Sequence, residues 1–198
     1  KLLSAVDKAQ ELFISGQNPS DVYREMLHIL VKTTGSAYGF LDEACRDSDG
    51  TKYKVSLAMS DISWNEESKR LYEDLKTHKL EFRNLNNLSG APYLEERVII
   101  ANDVEHHPLS GGIPPGHPDL KRFMGIPLFY AGEVIGVAGI ANAPGGYSME
   151  TAERIKPLTT GCAAMIWADR MRRREQETIN ALKESEKEYR RIAETANE

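Results

Sequence analysis

Apolar positions along the chain recur first at helical and then at strand spacing. Leu2, Leu3, Val6, Ala9, Leu12 and Phe13 fall three and four apart, which predicts an N-terminal helix over 1–16 that stops at Gly16. "NPSD" supplies a second start, with Asn18 or Ser20 as the cap. The helix that follows buries Val22, Met26, Leu27, Leu30 and Val31 and ends by Gly35. "AYGFLDEA" and "KYKVSLAMS" then read as two strands joined by the polar turn "CRDSDGT", which places Cys45 in the turn. "NEESKRLYEDLKTHKL" returns to helical spacing, with acidic residues in its first turn where the helix dipole favours them. The irregular "NLNNLSGAP" and the short strand "RVIIAN" come next.

The clearest pattern is the pair "RFMGIPLFY" and "EVIGVAGIAN" around Ala131–Gly132, an antiparallel hairpin. Strict alternation puts Val134, Gly136, Ala138 and Ile140 on one face and Ile135, Val137, Gly139 and Ala141 on the other. Both faces are apolar, so both should be covered, and the interior glycines leave room for a ligand or a neighbouring backbone. Ahead of this hairpin runs a glycine- and proline-rich loop, "GGIPPGHPDLKR", longer than a corner requires, which reads as a flap over the sheet. From the cap Ser148 a helix buries Ile155, Leu158, Cys162, Met165 and Ile166, and Pro157 predicts a kink or a later start. Beyond Met171 charge dominates, yet Ile179, Leu182, Tyr189 and Ile192 keep a spacing of threes and sevens that suits pairing with a second copy. The order of elements indicates an α+β domain on an antiparallel sheet, flanked by helical arms.

Composition narrows the function classes. With 198 residues, 40% of them hydrophobic, the chain supports one substantial core. The net charge of −5, with Arg170 to Arg174 as a short basic run flanked by acids, argues against general binding to nucleic acid. No apolar run approaches the roughly 20 residues that cross a bilayer. The chain begins at Lys1 without a signal-peptide pattern, as expected for a piece of a larger protein. Two cysteines make neither a disulfide framework nor a zinc site, which favours a reducing, cytoplasmic setting. No nucleophile motif, phosphate loop or zinc-hydrolase helix is present, so the domain reads as non-catalytic.

"FMGIPLFYAGEVIGVAGIANAPGGYS" resembles the last strand pair of a GAF domain and its exit into the closing helix. "SDISW", "EFRNLNNLSGAP" and "VIIANDVEHHP" are similar to a bacterial and archaeal branch of that family found in sensor histidine kinases. "ALKESEKEYRRIAETANE" resembles the lead-in helix of a PAS domain. The resemblance implies a GAF-like antiparallel sheet of about six strands with helices on both sides and long terminal helices. It divides the chain into a signalling and dimerisation helix (1–16), a GAF domain (17–170) and a linker into a following PAS domain (171–198). It further implies a non-catalytic sensor that binds a small molecule between the sheet and loops 84–92 and 102–120. The signal would pass through the terminal helices of a homodimer to a kinase of a two-component system. No nucleic-acid or membrane contact is expected of this segment. Two alternatives stand beside it: a ligand-free dimerising spacer, and a heme-based redox or gas sensor. The cyclic-nucleotide signature of the family is missing, and neither cysteine has the neighbouring histidine of bilin-binding relatives.

His117, within the flap, is the first candidate for a ligand contact; the alternatives are a cap on "HPDLKRF" or simple exposure. Asn142 and Asp103 close strands, and Asn84 and Phe123 border the two loops. Trp64, Phe82 and Tyr147 are aromatics expected at the pocket end, where they would stack on a planar ligand or fill the core. Cys45 and His107 are the heme contacts of the third reading. His106 and His107 cannot both point the same way on extended backbone. His28, among core-helix residues, and His78, in a polar helix, are assigned structural places.

Overall fold

A computed structural model describes residues 18–62, 66–77, 80–111 and 116–195. The expected helix over 1–16, Trp64 and His78 lie outside these residues. Among the described residues there are six strands: β1 (Tyr38–Arg46), β2 (Lys52–Met59), β3 (Glu81–Phe82), β4 (Ile99–Ala101), β5 (Phe123–Tyr130) and β6 (Glu133–Ala141). They form one antiparallel sheet in the order β3-β2-β1-β6-β5-β4. The helices are α1 (Pro19–Thr34), α2 (Glu66–Thr77), α3 (Ala91–Glu95) and α4 (Met149–Thr195). The α+β architecture expected from the sequence is therefore the one observed, with β3 and α3 as additions that spacing did not reveal.

Local chemistry sets the helix limits. The Asn18 side chain accepts from the Ser20 N–H at 3.1 Å and caps α1. Gly35, at φ 65°, closes α1 in the left-handed conformation that glycine adopts without a Cβ penalty. Ser148 Oγ accepts from the Thr151 N–H at 3.3 Å, and α4 starts directly after it at Met149. Pro157 therefore neither delays nor ends α4, contrary to the later start that its sequence position suggested. Proline inside a helix costs about 3 kcal/mol. Ile155, Leu158 and Ile166 are completely buried, and each such side chain contributes about 1.5–3 kcal/mol. Burial wins. His28 is exposed rather than among core residues, because Met26, Leu27 and Leu30 occupy the inner face of α1.

Helices α1 and α4 cover one face of the sheet. Their apolar stripes meet Leu41, Ala58, Met124, Ile126, Leu128, Ala138 and Ile140 in the main core. A bulge modifies the alternation foreseen for β6. Leu128 opposes Gly136 and Phe129 opposes Val134, so Ile135 has no partner across the ladder. Ile135 thereby joins the helix-side core with Ala138 and Ile140, while Val134 packs with Val137 on the other face. Cys45 is within β1 and not in the turn.

On the helix side, β1 is tied to α4 by charge. Glu43, with a side chain 5% exposed, accepts from Arg170 at 2.8 Å and Arg173 at 2.7 Å. Arg170 also donates to the Ala44 carbonyl at 2.7 Å. Asp169 receives Arg172 at 2.8 Å, Arg173 at 3.4 Å and the Tyr23 hydroxyl at 3.3 Å. Burial, with Asp169 and Glu43 nearby, pushes the Tyr23 hydroxyl pKa well up, so it stays a proton donor. Arg170, Arg172 and Arg173 of the basic run thus face carboxylates of their own fold.

Candidate functional site

The face of the sheet away from α1 and α4 carries a cavity of about 560 Å³. That lies within the range of small-molecule sites, roughly 300–1,000 Å³. Tyr38, Phe40, Asp42 and Lys54 on β1 and β2, with Phe123 and Gly139, form its floor. Residues of 84–89 and 104–111, with His117 and Leu120, form its roof. A Cβ at Gly139 would run into the Phe40 ring, so glycine there lets Phe40 lie flat along the floor. Phe40 stacks on Phe123 with ring centroids 6.3 Å apart and planes at 19°.

One end of the cavity is charged. Lys54 Nζ donates to Asp42 Oδ2 at 2.7 Å, and the two side chains are only 1% and 3% exposed. Nζ lies 4.7 Å from the Phe40 centroid and 5.3 Å from that of Phe82, both within cation–π range. Ser89 Oγ stands 3.4 Å from Nζ. Burial raises the Asp42 carboxyl above the usual carboxylate range, against the opposing pull of Lys54. Asn87 knits the loop that presents Ser89. Its Oδ1 accepts from the Ser89 N–H at 3.0 Å, Ser89 Oγ at 2.9 Å and the Gly90 N–H at 3.0 Å. Gly90 cannot be replaced cheaply, because a Cβ there would enter the Leu85 backbone.

The other end is aromatic. The His117 ring stands edge-on to Tyr38, with centroids 5.6 Å apart and planes at 76°. Its Nδ1 is 2.8 Å from the Pro118 carbonyl, which only accepts. The neutral ring therefore carries its proton on Nδ1 and keeps Nε2 as an acceptor.

Of the residues singled out in the sequence, His117, Phe82, Asn84 and Phe123 line the cavity. Asn142, Asp103 and Tyr147 do not, each for a local reason. Asn142, at φ 60°, accepts from the N–H groups of Lys121 and Arg122 at 2.9 and 3.1 Å and donates to the Asp119 carbonyl at 2.6 Å. It pins the base of the flap to the end of β6. Asp103 pairs with His106 at 2.9 Å on the surface. Tyr147 packs in the helix-side core, its hydroxyl 2.8 Å from Ser36 Oγ and 3.1 Å from the Ala143 N–H.

Cys45 and His107, the expected heme contacts, are not brought to the cavity. Burial pushes the Cys45 thiol up to about 11, and His107 Nδ1 accepts from the Leu109 N–H at 3.2 Å. Among the described residues no group of three or more His, Cys, Asp or Glu could hold a metal ion. Sequence reasoning missed Asp42, Lys54, Ser89 and Phe40. The available signal was a pair of acids inside the apolar strand "YGFLDEA". No helix among the described residues is long and apolar enough to cross a membrane.

Solved structures with this arrangement are numerous. The GAF domain of a phosphoenolpyruvate-protein phosphotransferase from Coxiella burnetii superposes with a TM-score of 0.67 at 20% identity, over 86% of this chain and 95% of that one. The corresponding Acinetobacter GAF domain gives 0.62 at 16% identity, over 85% and 94% of the two chains. The free methionine-R-sulfoxide reductase of Neisseria meningitidis, solved with its substrate, gives 0.60 at 12% identity over 86% and 90%. At these identities the likeness is one of fold. No curated protein matches the chain significantly. The profile of the GAF domain family matches residues 16–166, and the chain belongs to that family.

Proposed function

We propose that this is a non-catalytic sensory domain that binds a small organic molecule in the cavity over β1 and β6 and passes the event to α4. The observation that carries the reading is the arrangement of two adjacent acids on β1. Asp42 borders the cavity, while Glu43, on the opposite face, is held by Arg170 and Arg173 of α4. Neighbouring residues of a strand point to opposite faces, so a shift of β1 under a ligand reaches the helix without a further intermediary. Such a ligand acts only through unequal affinity for two arrangements of the domain, about 1.4 kcal/mol for each tenfold difference.

Helix α4 runs on as far as Thr195. In its outer part Ile179, Leu182, Tyr189 and Ile192 are exposed at coiled-coil spacing. A second copy of the chain covers them in this reading, and the paired helices continue into a PAS domain and a kinase of a cytoplasmic two-component system. The resemblance of the last eighteen residues, "ALKESEKEYRRIAETANE", supports that placement.

A thermal-shift survey of a broad small-molecule set tests the binding reading, with the Leu109→Trp variant as control because Leu109 lies on the cavity roof. Compounds should raise the melting temperature of the parent chain and leave the filled variant unmoved. Equal shifts in both, or none in the parent, would favour a ligand-free spacer.

A further inference from the structure

The charged end of the cavity says more about the ligand than its volume does. A buried ion pair is costly, and an apolar pair of similar size would often serve stability equally well or better. Here the pair borders an open, otherwise largely apolar space instead of being sealed in the core. The ammonium of Lys54 has three donors, of which Asp42 Oδ2 takes one and Ser89 Oγ, at 3.4 Å, takes a second weakly. Asp42 spends Oδ2 on Lys54, and its Oδ1 makes no hydrogen bond among the described residues. A donor and an acceptor of opposite charge therefore stand side by side on the cavity lining.

Charge balance restricts what fits against them. The pair is neutral as a unit. A ligand bearing only a carboxylate, or only an ammonium, would leave one net charge in a low-dielectric pocket, and that is expensive. A molecule with both groups adjacent meets Lys54 and Asp42 together and leaves the net charge at zero. The walls beyond (Phe40, Phe82, Leu88, Leu109, Phe123) ask for an apolar body on the same molecule. Tyr38, Glu105 and His117 are the other titratable groups on the lining, and burial raises the Tyr38 hydroxyl so that it stays protonated. None of the three is among the contacts of the Lys54–Asp42 pair.

We infer that the cavity takes a small zwitterion of the free α-amino acid type with a large apolar side chain, its carboxylate on Lys54 and its ammonium on Asp42. This rests on the binding reading above and adds the class of ligand. Nothing is bonded or transferred: the ligand enters and leaves unchanged.

Calorimetric titration of the full chain with four probes that share one body separates the possibilities. L-phenylalanine carries both charges, 3-phenylpropionate only the anion, phenethylamine only the cation, and 3-phenylpropanamide neither. L-phenylalanine should bind at least about tenfold more tightly than each of the others, a difference of about 1.4 kcal/mol. Asp42→Asn/Lys54→Met, which removes both charges together and leaves no orphan, should fold and lose that preference. Neutral indole, a probe of the apolar walls alone, should still bind the double variant.

Equal or tighter binding of 3-phenylpropionate, particularly with proton uptake as Asp42 neutralises, would overturn the zwitterion assignment. So would equal binding of the amide, or indole binding to the parent chain with no response to L-phenylalanine. These results would leave a small-molecule site in place. Failure of all five probes on the parent chain would count against the zwitterion, and only an empty thermal-shift survey beside it would remove the binding reading as well.

Discussion

At the scale of single residues, Lys54 and Asp42 carry opposite lessons about stability and function. Each is almost wholly buried, so removing one leaves the other uncompensated. Lys54→Met should cost about 3–5 kcal/mol, read as a lower urea midpoint. Asp42→Asn/Lys54→Met should recover most of that loss, since the cost lies in the orphaned charge and not in the missing contact. The two cysteines make a second prediction at this scale. Burial raises Cys45 to about 11 and Cys162 to about 12, so near pH 8 both remain thiols and not the reactive thiolates. A disulfide reagent at pH 8 should modify the native chain slowly and the urea-unfolded chain fast. Rapid native labelling of Cys45 would show that β1 opens more readily than its hydrogen bonding implies.

At the scale of elements, α4 holds a proline in its interior and nevertheless runs unbroken from Met149 to Thr195. Pro157 is exposed and lacks the N–H that would reach the Glu153 carbonyl. Pro157→Ala should restore that hydrogen bond without opening a cavity. A gain of about 1–3 kcal/mol in chemical unfolding is expected, somewhat less than the full proline penalty because the helix has already adapted. The bulge at Ile135 acts in the opposite sense, spending one ladder pairing to deliver a large side chain to the core under α4. Strand β1 is the element on which the two faces meet. Its Asp42 borders the cavity and its Glu43 grips the helix, so disturbance on one side has a short path to the other.

For the whole molecule, the distribution of apolar surface divides α4 into two parts. Between Ala152 and Ile166 its inner face (Ile155, Leu158, Cys162, Met165, Ile166) is buried against the sheet, whereas Leu182 is 69% and Tyr189 73% exposed. Single exposed apolar residues are ordinary, but four at coiled-coil spacing on one helix form a seam. Sedimentation at tens of micromolar should therefore give a dimer, and Leu182→Lys with Tyr189→Lys should give a folded monomer. A parent chain that sediments as a monomer would remove the paired-helix relay and leave the cavity unaffected.

Much of this arrangement follows from the sequence alone. Local spacing and caps determine four of the longer segments of the core: Asn18 and Gly35 bound α1, Ala131–Gly132 turns β5 into β6, and Ser148 starts α4. These are short-range effects, decided by backbone chemistry within a few residues. The breaker-rich loop marked His117 as a residue beside the sheet, and its described ends, Gly111 and His117 to Leu120, include cavity-lining residues. What the sequence did not determine depends on groups far apart in the chain. Lys54 and Asp42 lie on different strands, and only the pairing of β2 with β1 places one charge 2.7 Å from the other. Arg170 is 127 residues from Glu43, and the docking of α4 on the sheet decides that contact. Asn142 was open to both a ligand contact and a turn role until the fold filled its hydrogen bonds with backbone groups at the base of the flap. Periodicity reports which face a residue occupies. Which charge shares that face, and whether the space between them is filled or open, is settled only when the strands pair and the loops close over them, because burial and Coulomb energies depend on distance in space and not along the chain.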